Sequence, residues 1–520
     1  MNQYVLLGIV FAYFLILLGV AWYTSRNADN ESFFIGNRNS NWMLVAFGMI
    51  GTSLSGVTFV SVPGTVGKLI GENTFYAFGY FQVVIGYFIG YFVIAFVLLP
   101  LYYRLNLTSI YNYLQHRFGN ISYKTGALFF ITSRTVGATA RLYLVINVLQ
   151  IFILDAMGVP FLVTTLFILL MILLYTFEGG VKTIVYTDTL QTVGMLTGLI
   201  VVIVFILNHF GFSASEAMNV LEDKGYTRIF NTDLLNRNYF LKSIIGGAFI
   251  TIAMTGLDQE MMQKNISVKN LKDSQKNMIT FSTIMAIVIF LFLLLGGLLY
   301  LYAMDQGAGY AVTEAGSAFM LNGKNVMGDD LFPFLALNYL PPAVGIIFII
   351  GLISALFPSA DGALTALTSS FCIDLLGLKR RTDLTEKQRK KTRITVHLSF
   401  TVIFLLCILI FKWIDNKSVI DVILDLAGYT YGPLLGLFAF GILTKRKFRD
   451  GYRVLVVALL APLISYLLHL YVPQILGGYQ IGIELLVING FITFLGLYLL
   501  SLSSPQNEVA ATPIASPQRN

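Results

Sequence analysis

Gly51-Thr52-Ser53-Leu54-Ser55-Gly56-Val57-Thr58 interrupts an otherwise apolar run from 40 to 67, and Thr255-Gly256-Leu257-Asp258-Gln259-Glu260 interrupts another from 242 to 264. Each is a polar, glycine-containing stretch at the depth where hydrocarbon would surround an unbroken helix. Backbone that leaves the helix at that depth is tolerated only where protein or a water-filled cavity supplies its hydrogen bonds. The two interruptions lie five apolar segments apart. Paired breaks in corresponding halves mark a transporter built of inverted repeats, with its binding site at the repeat interface. The alternative is that these small residues let neighbouring helices approach closely.

The whole chain supports a membrane setting. Of 520 residues, 56% are hydrophobic and 12% are charged, and mean hydropathy is +0.76; soluble domains carry about a quarter charged residues. A helix needs roughly 20 apolar residues to cross a bilayer. Apolar windows predict about thirteen spans, near 4–23, 40–67, 75–102, 124–153, 159–178, 184–208, 242–264, 276–304, 333–371, 394–413, 418–442, 453–472 and 481–501. The expectation is an all-α polytopic membrane protein forming one transporter domain, residues 1–501, followed by a disordered cytoplasmic tail over 502–520. The first run has no basic stretch before it and no small-residue cleavage site after it, so it is read as a true span rather than a signal peptide. Cys372 and Cys407 fall in or beside apolar runs and read as packing residues.

The net charge of +7 does not indicate a nucleic-acid partner, because the basic residues form no stripe on a soluble domain. They gather in the loops that follow odd-numbered spans: Arg26 and Arg38, Arg104 and Arg117, Lys182, Lys264 to Lys276, Lys379 to Arg393, and Lys445 to Arg453. Basic loops face the cytoplasm. The expected arrangement is therefore a multi-pass protein of the plasma (inner) membrane, its N-terminus outside and its C-terminus inside.

Ionisable residues within spans are costly and default to functional candidates. Here they are Arg134, Arg141, Asp188, Asp258, Glu260, Asp361, Asp421 and Asp425. Asp421 and Asp425 lie near the outer end of their span, where solvent would serve them. Asp258 and Glu260 could instead meet Lys264 in a structural salt bridge. Around Asp361 the ninth span reads Ser354-Ala355-Leu356-Phe357-Pro358-Ser359-Ala360-Asp361. Pro358 has no N–H for the carbonyl of Ser354. That carbonyl, Ser359 and Asp361 would together offer the hard oxygen donors that cations of this type prefer, unless the proline only kinks its helix.

Several motifs, in order, resemble the sodium/solute symporter family, whose members include sodium-coupled glucose, proline, sialic acid and monocarboxylate transporters. They are Glu31-Ser32-Phe33-Phe34-Ile35-Gly36-Asn37-Arg38, Thr58-Phe59-Val60-Ser61-Val62-Pro63-Gly64, Glu178-Gly179-Gly180-Val181-Lys182 with Tyr186-Thr187-Asp188-Thr189-Leu190-Gln191, Asp258-Gln259-Glu260-Met261-Met262-Gln263 and Tyr431-Gly432-Pro433-Leu434-Leu435-Gly436. The resemblance implies a leucine-transporter-like core of two inverted five-helix repeats, here 40–208 and 242–442, with a leading helix at 4–23 and two trailing helices at 453–501. It implies sodium as coupling ion and no other cofactor. The shared sodium site of the family would fall on Gly51, Leu54, Ala355 and Ser359, with Pro358 standing where the family usually has a hydroxyl residue. In members with a further sodium site, Asp188 and Asp361 match the positions of its ligands. In single-ion members the aspartate matching Asp188 belongs instead to the exit path.

Solute contacts implied by the resemblance fall on Ser55, Thr58, Gln82, Arg141, Asp258 and Gln259. A guanidinium grips a carboxylate with two hydrogen bonds, so Arg134 and Arg141 favour a carboxylate solute; a sugar or polyol stays open. The expected function is sodium-coupled symport of a small organic solute by alternating access, with proton-coupled or uncoupled transport as the alternative. An ion channel is disfavoured because the chain has no short repeated pore loop. An enzyme is disfavoured because His116, His209, His397 and His469 lie far apart.

Overall fold

The computed structural model describes residues 3–25, 40–67, 77–107, 109–313, 316–381, 383–414 and 419–502, the side chains at 3, 25, 177–182, 312–313, 316–317, 379 and 419–421 apart. The motif from Glu31 to Arg38, the Asp421 side chain and the tail from Ser503 fall outside the described residues.

The long helices are α1 (Gln3–Ser25), α2 (Trp42–Ser53), α3 (Gly56–Thr65), α4 (Tyr80–Val93), α5 (Asn120–Leu149), α6 (Phe161–Phe210), α7 (Phe240–Thr251), α8 (Gln259–Ile266), α9 (Leu271–Asp305), α10 (Pro342–Ser370), α11 (Glu386–Ile414), α12 (Val419–Thr430), α13 (Gly432–Leu443), α14 (Tyr452–Ile475) and α15 (Leu485–Leu502). Among the described residues nine helices are long and apolar enough to cross a membrane, and three further crossings are bent pairs: α2 with α3 at 59°, the α7 segment Phe240–Gly256 with α8 at 66°, and Val422–Thr430 of α12 with α13 at 45°. The shorter apolar stretch Phe161–Thr176 completes the expected segments.

Three expectations need correction. The fifth and sixth spans are one helix of 50 residues, α6. At 1.5 Å per residue that is about 75 Å, more than twice the bilayer's hydrocarbon thickness. Gly179 and Gly180, which lie between the two expected spans, cost a helix only about 1 kcal/mol each. The ninth span begins at Pro342, and the short helix Leu331–Asn338 precedes it separately; Pro341 and Pro342 cannot continue that helix. Finally, a small antiparallel sheet of Gly309–Thr313, Gly316–Leu321 and Lys324–Asn325 was not anticipated; Gly309 pairs with Met320 and Leu321 with Lys324.

Each bend satisfies its freed backbone groups locally. At the first, Leu54 donates its N–H to Ile50 O at 2.8 Å, and Ser55 is extended (φ −80°, ψ 178°). At the second, α7 ends in a π-turn, Ile252–Gly256, and the carbonyls of Gly256 and Leu257 accept from the hydroxyls of Tyr102 (2.8 Å) and Tyr111 (2.9 Å). At the third, Pro433 has no N–H for the carbonyl of Tyr429, and Asn489 Nδ2 donates there instead at 2.8 Å.

The helices are held together by close approach as much as by apolar bulk. A Cβ at Gly86 of α4 would lie 2.1 Å from Ile244 O, and one at Gly247 of α7 would lie 2.4 Å from Val83 O, so this seam admits only glycine. Such small-residue seams replace the hydrophobic drive that lipid does not provide between helices. Outward faces carry large apolar side chains, among them Phe92 and Phe96 on the α4 side, Val402, Leu406 and Ile410 on α11, and Leu459 and Leu463 on α14, as a lipid-facing surface requires.

Candidate functional site

A cavity of about 110 Å³ opens at the two breaks. The α2–α3 break gives it Leu54, Ser55 and Thr58; α5 gives Arg134 and Arg141; α7 and its π-turn give Ile250, Met254 and Thr255; and Tyr80, Tyr87 and Tyr91 line it from one face of α4. Ser55 is the N-cap residue of α3, yet its side chain makes no capping bond. Serine usually spends its oxygen on the first N–H groups of its helix; here the hydroxyl is left to the cavity. Arg141 is half-buried on the wall. Its charged neighbours Arg134, Glu260 and Asp258 act on it only at longer range, and among the described residues no carboxylate pairs with it.

Next to this cavity lies a buried charge network. Arg134 Nη2 donates to Glu260 Oε2, and Arg134 Nε lies 3.8 Å from Asp258 Oδ2. Lys264 Nζ lies 2.7 Å from Asp188 Oδ2 and 3.5 Å from Glu260 Oε1, and it donates to Thr52 Oγ1 at 2.6 Å. Thr52 Oγ1 in turn lies 3.0 Å from Asp188 Oδ2. All six side chains are under 5% exposed. Buried charges at this depth persist only when paired and hydrogen-bonded, and here α2, α5, α6 and α8 each contribute to the pairing.

The solute candidates divide. Ser55, Thr58 and Arg141 line the cavity, whereas Gln82, Asp258 and Gln259 do not. Gln82 Nε2 donates to Gly79 O at 2.9 Å, and its Oε1 accepts from Asn231 N at 3.1 Å. Asp258 caps α8, accepting from Glu260 N (2.9 Å) and Met261 N (3.2 Å), and also accepts from Tyr431 Oη at 3.2 Å. Gln259 Oε1 accepts from Ile110 N at 3.0 Å. These three polar groups serve the chain's own backbone.

For the cation candidates, the end of α2 matters most. Helical geometry stops at Leu54, so the last carbonyls of α2, from Gly51 to Leu54, lack the donors a continuing helix would supply. Gly51 rests on α6, where a Cβ would come 2.4 Å from Thr192 Oγ1. The Ala355 carbonyl faces the start of α3, 4.0 Å from where a Cβ of Gly56 would lie. Ser359 Oγ donates to Leu356 O at 3.0 Å, which leaves its lone pairs available as ligands. Helix α10 runs unbroken through Pro358, and the Ser354 hydroxyl donates to Tyr13 Oη at 2.8 Å, toward α1. Asp361 Oδ2 accepts from Tyr175 Oη at 2.8 Å. Asp188 Oδ1, Thr365 Oγ1 and both polar atoms of the Gln191 amide are buried without hydrogen-bond partners.

Two features escaped the sequence reading. The salt bridge expected between Lys264 and Glu260 is present at 3.5 Å, but Lys264, 3% exposed, also reaches Asp188 and Thr52, contacts that its place in a basic loop does not foretell. The second feature is the row of tyrosines on α4, none of them singled out above. Their spacing, 80, 87 and 91, is that of a single helix face and could have marked them.

Residues 33–453 match the model of the sodium:solute symporter family. The chain is 24% identical over 510 residues to the sodium/sialic acid symporter of Proteus mirabilis, covering 95% of this chain and 94% of that protein. It is 27% identical over 424 residues to human sodium-coupled monocarboxylate transporter 1, covering 80% of this chain and 64% of that protein. The fold matches that of a sodium-coupled sialic acid symporter solved in a substrate-bound outward-open state, with a TM-score of 0.79 at 20% identity over 96% of this chain and 98% of that one. It also matches the closed form of Mhp1, a nucleobase-cation-symport-1 family transporter, with a TM-score of 0.53 at 12% identity over 92% of this chain and 96% of that one. The chain belongs to the sodium:solute symporter family, and it is a membrane symporter that moves a small organic solute with sodium as coupling ion.

Proposed function

We propose that the solute is a carboxylate and that Arg141 anchors it. The observation that carries this reading is the Arg141 guanidinium on the cavity wall, with no carboxylate upon it among the described residues. Arginine offers a planar fork matched to a carboxylate. An uncharged sugar would leave that charge unanswered. Ser55 and Thr58 add hydroxyl-bearing side chains to the cavity lining, and Ile250 and Met254 apolar ones. Two of the relatives named above are symporters of sialic acid and of monocarboxylates, which supports an acidic solute.

Sodium in this reading binds between the end of α2 and α10, on the carbonyls of Gly51, Leu54 and Ala355 and the hydroxyl of Ser359. A second cation is placed between Asp188 and Asp361. The unpartnered Asp188 Oδ1 supports it, because buried polar atoms are rarely left unsatisfied. Binding there ties the broken helix to the opposing repeat, and the ion gradient then biases which side-facing state is populated. Repeat one, 40–208, and repeat two, 242–442, rock about the fixed site. The loop charges favour a plasma-membrane protein with its N-terminus outside and its C-terminus in the cytoplasm. The test is uptake into proteoliposomes of a panel of carboxylates, their amides and neutral sugars, with Arg141→Gln beside the unmodified protein. Selective uptake of the acids, lost in the variant, is expected; equal uptake of acids and amides would contradict the reading.

A further inference from the structure

We propose that Lys264 is a positioning residue of the sodium site, its ammonium clamping the end of α2 so that the Gly51 and Leu54 carbonyls are presented to the ion. The inference rests on the sodium position given above. Its geometry is a closed triangle: Lys264 Nζ to Thr52 Oγ1 at 2.6 Å, Lys264 Nζ to Asp188 Oδ2 at 2.7 Å, and Thr52 Oγ1 to Asp188 Oδ2 at 3.0 Å. A hydroxyl has one proton and two lone pairs. Here it accepts from the ammonium and has its proton free for the carboxylate, so both bonds are made at once. Three helices meet at that hydroxyl: α2 through Thr52, α6 through Asp188 and α8 through Lys264. Thr52 lies directly after Gly51 and two residues before Leu54, where α2 leaves helical geometry.

A salt bridge serving only to neutralise Asp188 would need no third partner. The ammonium instead spends its shortest contact on the broken helix. The three side chains are at most 3% exposed, so water does not compete for the triangle. Fixing Thr52 fixes the peptide planes on either side of it, the first of which carries the Gly51 carbonyl, and anchors the chain two residues before Leu54, whose carbonyl follows at the end of the helix. Thr52 also borders the cavity, but its hydroxyl is engaged by Lys264 and Asp188, whereas the solute's proposed contacts, Ser55, Thr58 and Arg141, lie past the break or on α5, so the clamp acts first on the ion.

The test measures sodium activation of solute uptake in proteoliposomes for Thr52→Val, which removes the hydroxyl but leaves the Lys264–Asp188 ion pair, and for Thr52→Ser, which restores it. The sodium concentration for half-maximal uptake should rise about tenfold in Thr52→Val, the order expected for one lost charge-assisted hydrogen bond. Thr52→Ser should lie within about twofold of the unmodified protein, and the solute KM at saturating sodium should change less than about twofold in either variant. Lys264→Met, where it folds, should reproduce the sodium shift. An unchanged sodium requirement in Thr52→Val, or sodium and solute constants rising together, would overturn the clamp. Sodium-independent uptake by the unmodified protein would overturn the sodium assignment, and the clamp with it.

Discussion

Arg134 and Arg141 lie seven residues apart on α5, and both reach the cavity, but among the described residues only Arg134 is paired with a carboxylate. Seven residues is two helical turns, so the two guanidinium groups share one face of α5. The first is held by Glu260 and serves the fold. The second is left for something that enters from outside.

Arg141→Gln should raise the solute KM by about a hundredfold, because it removes a bidentate, charge-assisted contact from a site sheltered from water. Arg141→Lys should recover only part of the loss, since a point charge cannot reproduce the planar fork. Initial uptake rates across solute concentration check both; an unaltered KM in Arg141→Gln would detach the solute from this residue.

Glu260→Gln leaves the Arg134 guanidinium without its principal partner inside the protein. Breaking one side of a buried pair costs about 3–5 kcal/mol. The variant should therefore melt well below the unmodified protein in detergent. Replacing both residues by methionine should cost less than Glu260→Gln alone, and thermal melting of the three proteins makes the comparison.

Ser359→Ala removes a hydroxyl assigned to sodium and leaves the solute contacts in place. The sodium concentration for half-maximal uptake should rise several-fold, and an unchanged value would take Ser359 out of the site. The lost bond to Leu356 O is local to α10, so melting in detergent should fall by no more than about 1 kcal/mol in stability.

Gly247→Ala places a methyl 2.4 Å from Val83 O, a backbone atom that cannot rotate away. Overpacking of this kind costs about 1–3 kcal/mol or more, so yield and melting temperature should both fall. Gly8→Ala is the control: a Cβ there meets nothing within 4 Å and should leave stability unchanged or slightly improved.

The fold was legible because its decisive features are local. The stretch from Gly51 to Thr58 and the one from Thr255 to Glu260 announce broken helices by composition alone, and both are bent by roughly 60°. The site was legible only in part, because pairing between distant segments leaves no local trace. The local pairing of Lys264 with Glu260 is readable from the sequence, but its contact with Asp188, 76 positions earlier, is not. Gln82 is a solute candidate only through the family resemblance, and here its amide is bonded within the chain. The loop that occupies it, 231–238, could not be foreseen from α4. Asp258 was singled out for its charge, but an aspartate at the first residue of a restarted helix is an ordinary N-cap, and the break itself carried that information.

The most direct test of the account is accumulation of a labelled monocarboxylate, and of sialic acid in parallel, into proteoliposomes under an inward sodium gradient, with potassium replacing sodium as the control. At least one of the two acids should rise above its equilibrium level while the gradient lasts and fall back as it collapses. Potassium should give no accumulation, and Arg141→Gln should abolish it at low solute concentration. Equal uptake in sodium and potassium, or sodium-driven accumulation that survives Arg141→Gln unchanged, would contradict the account.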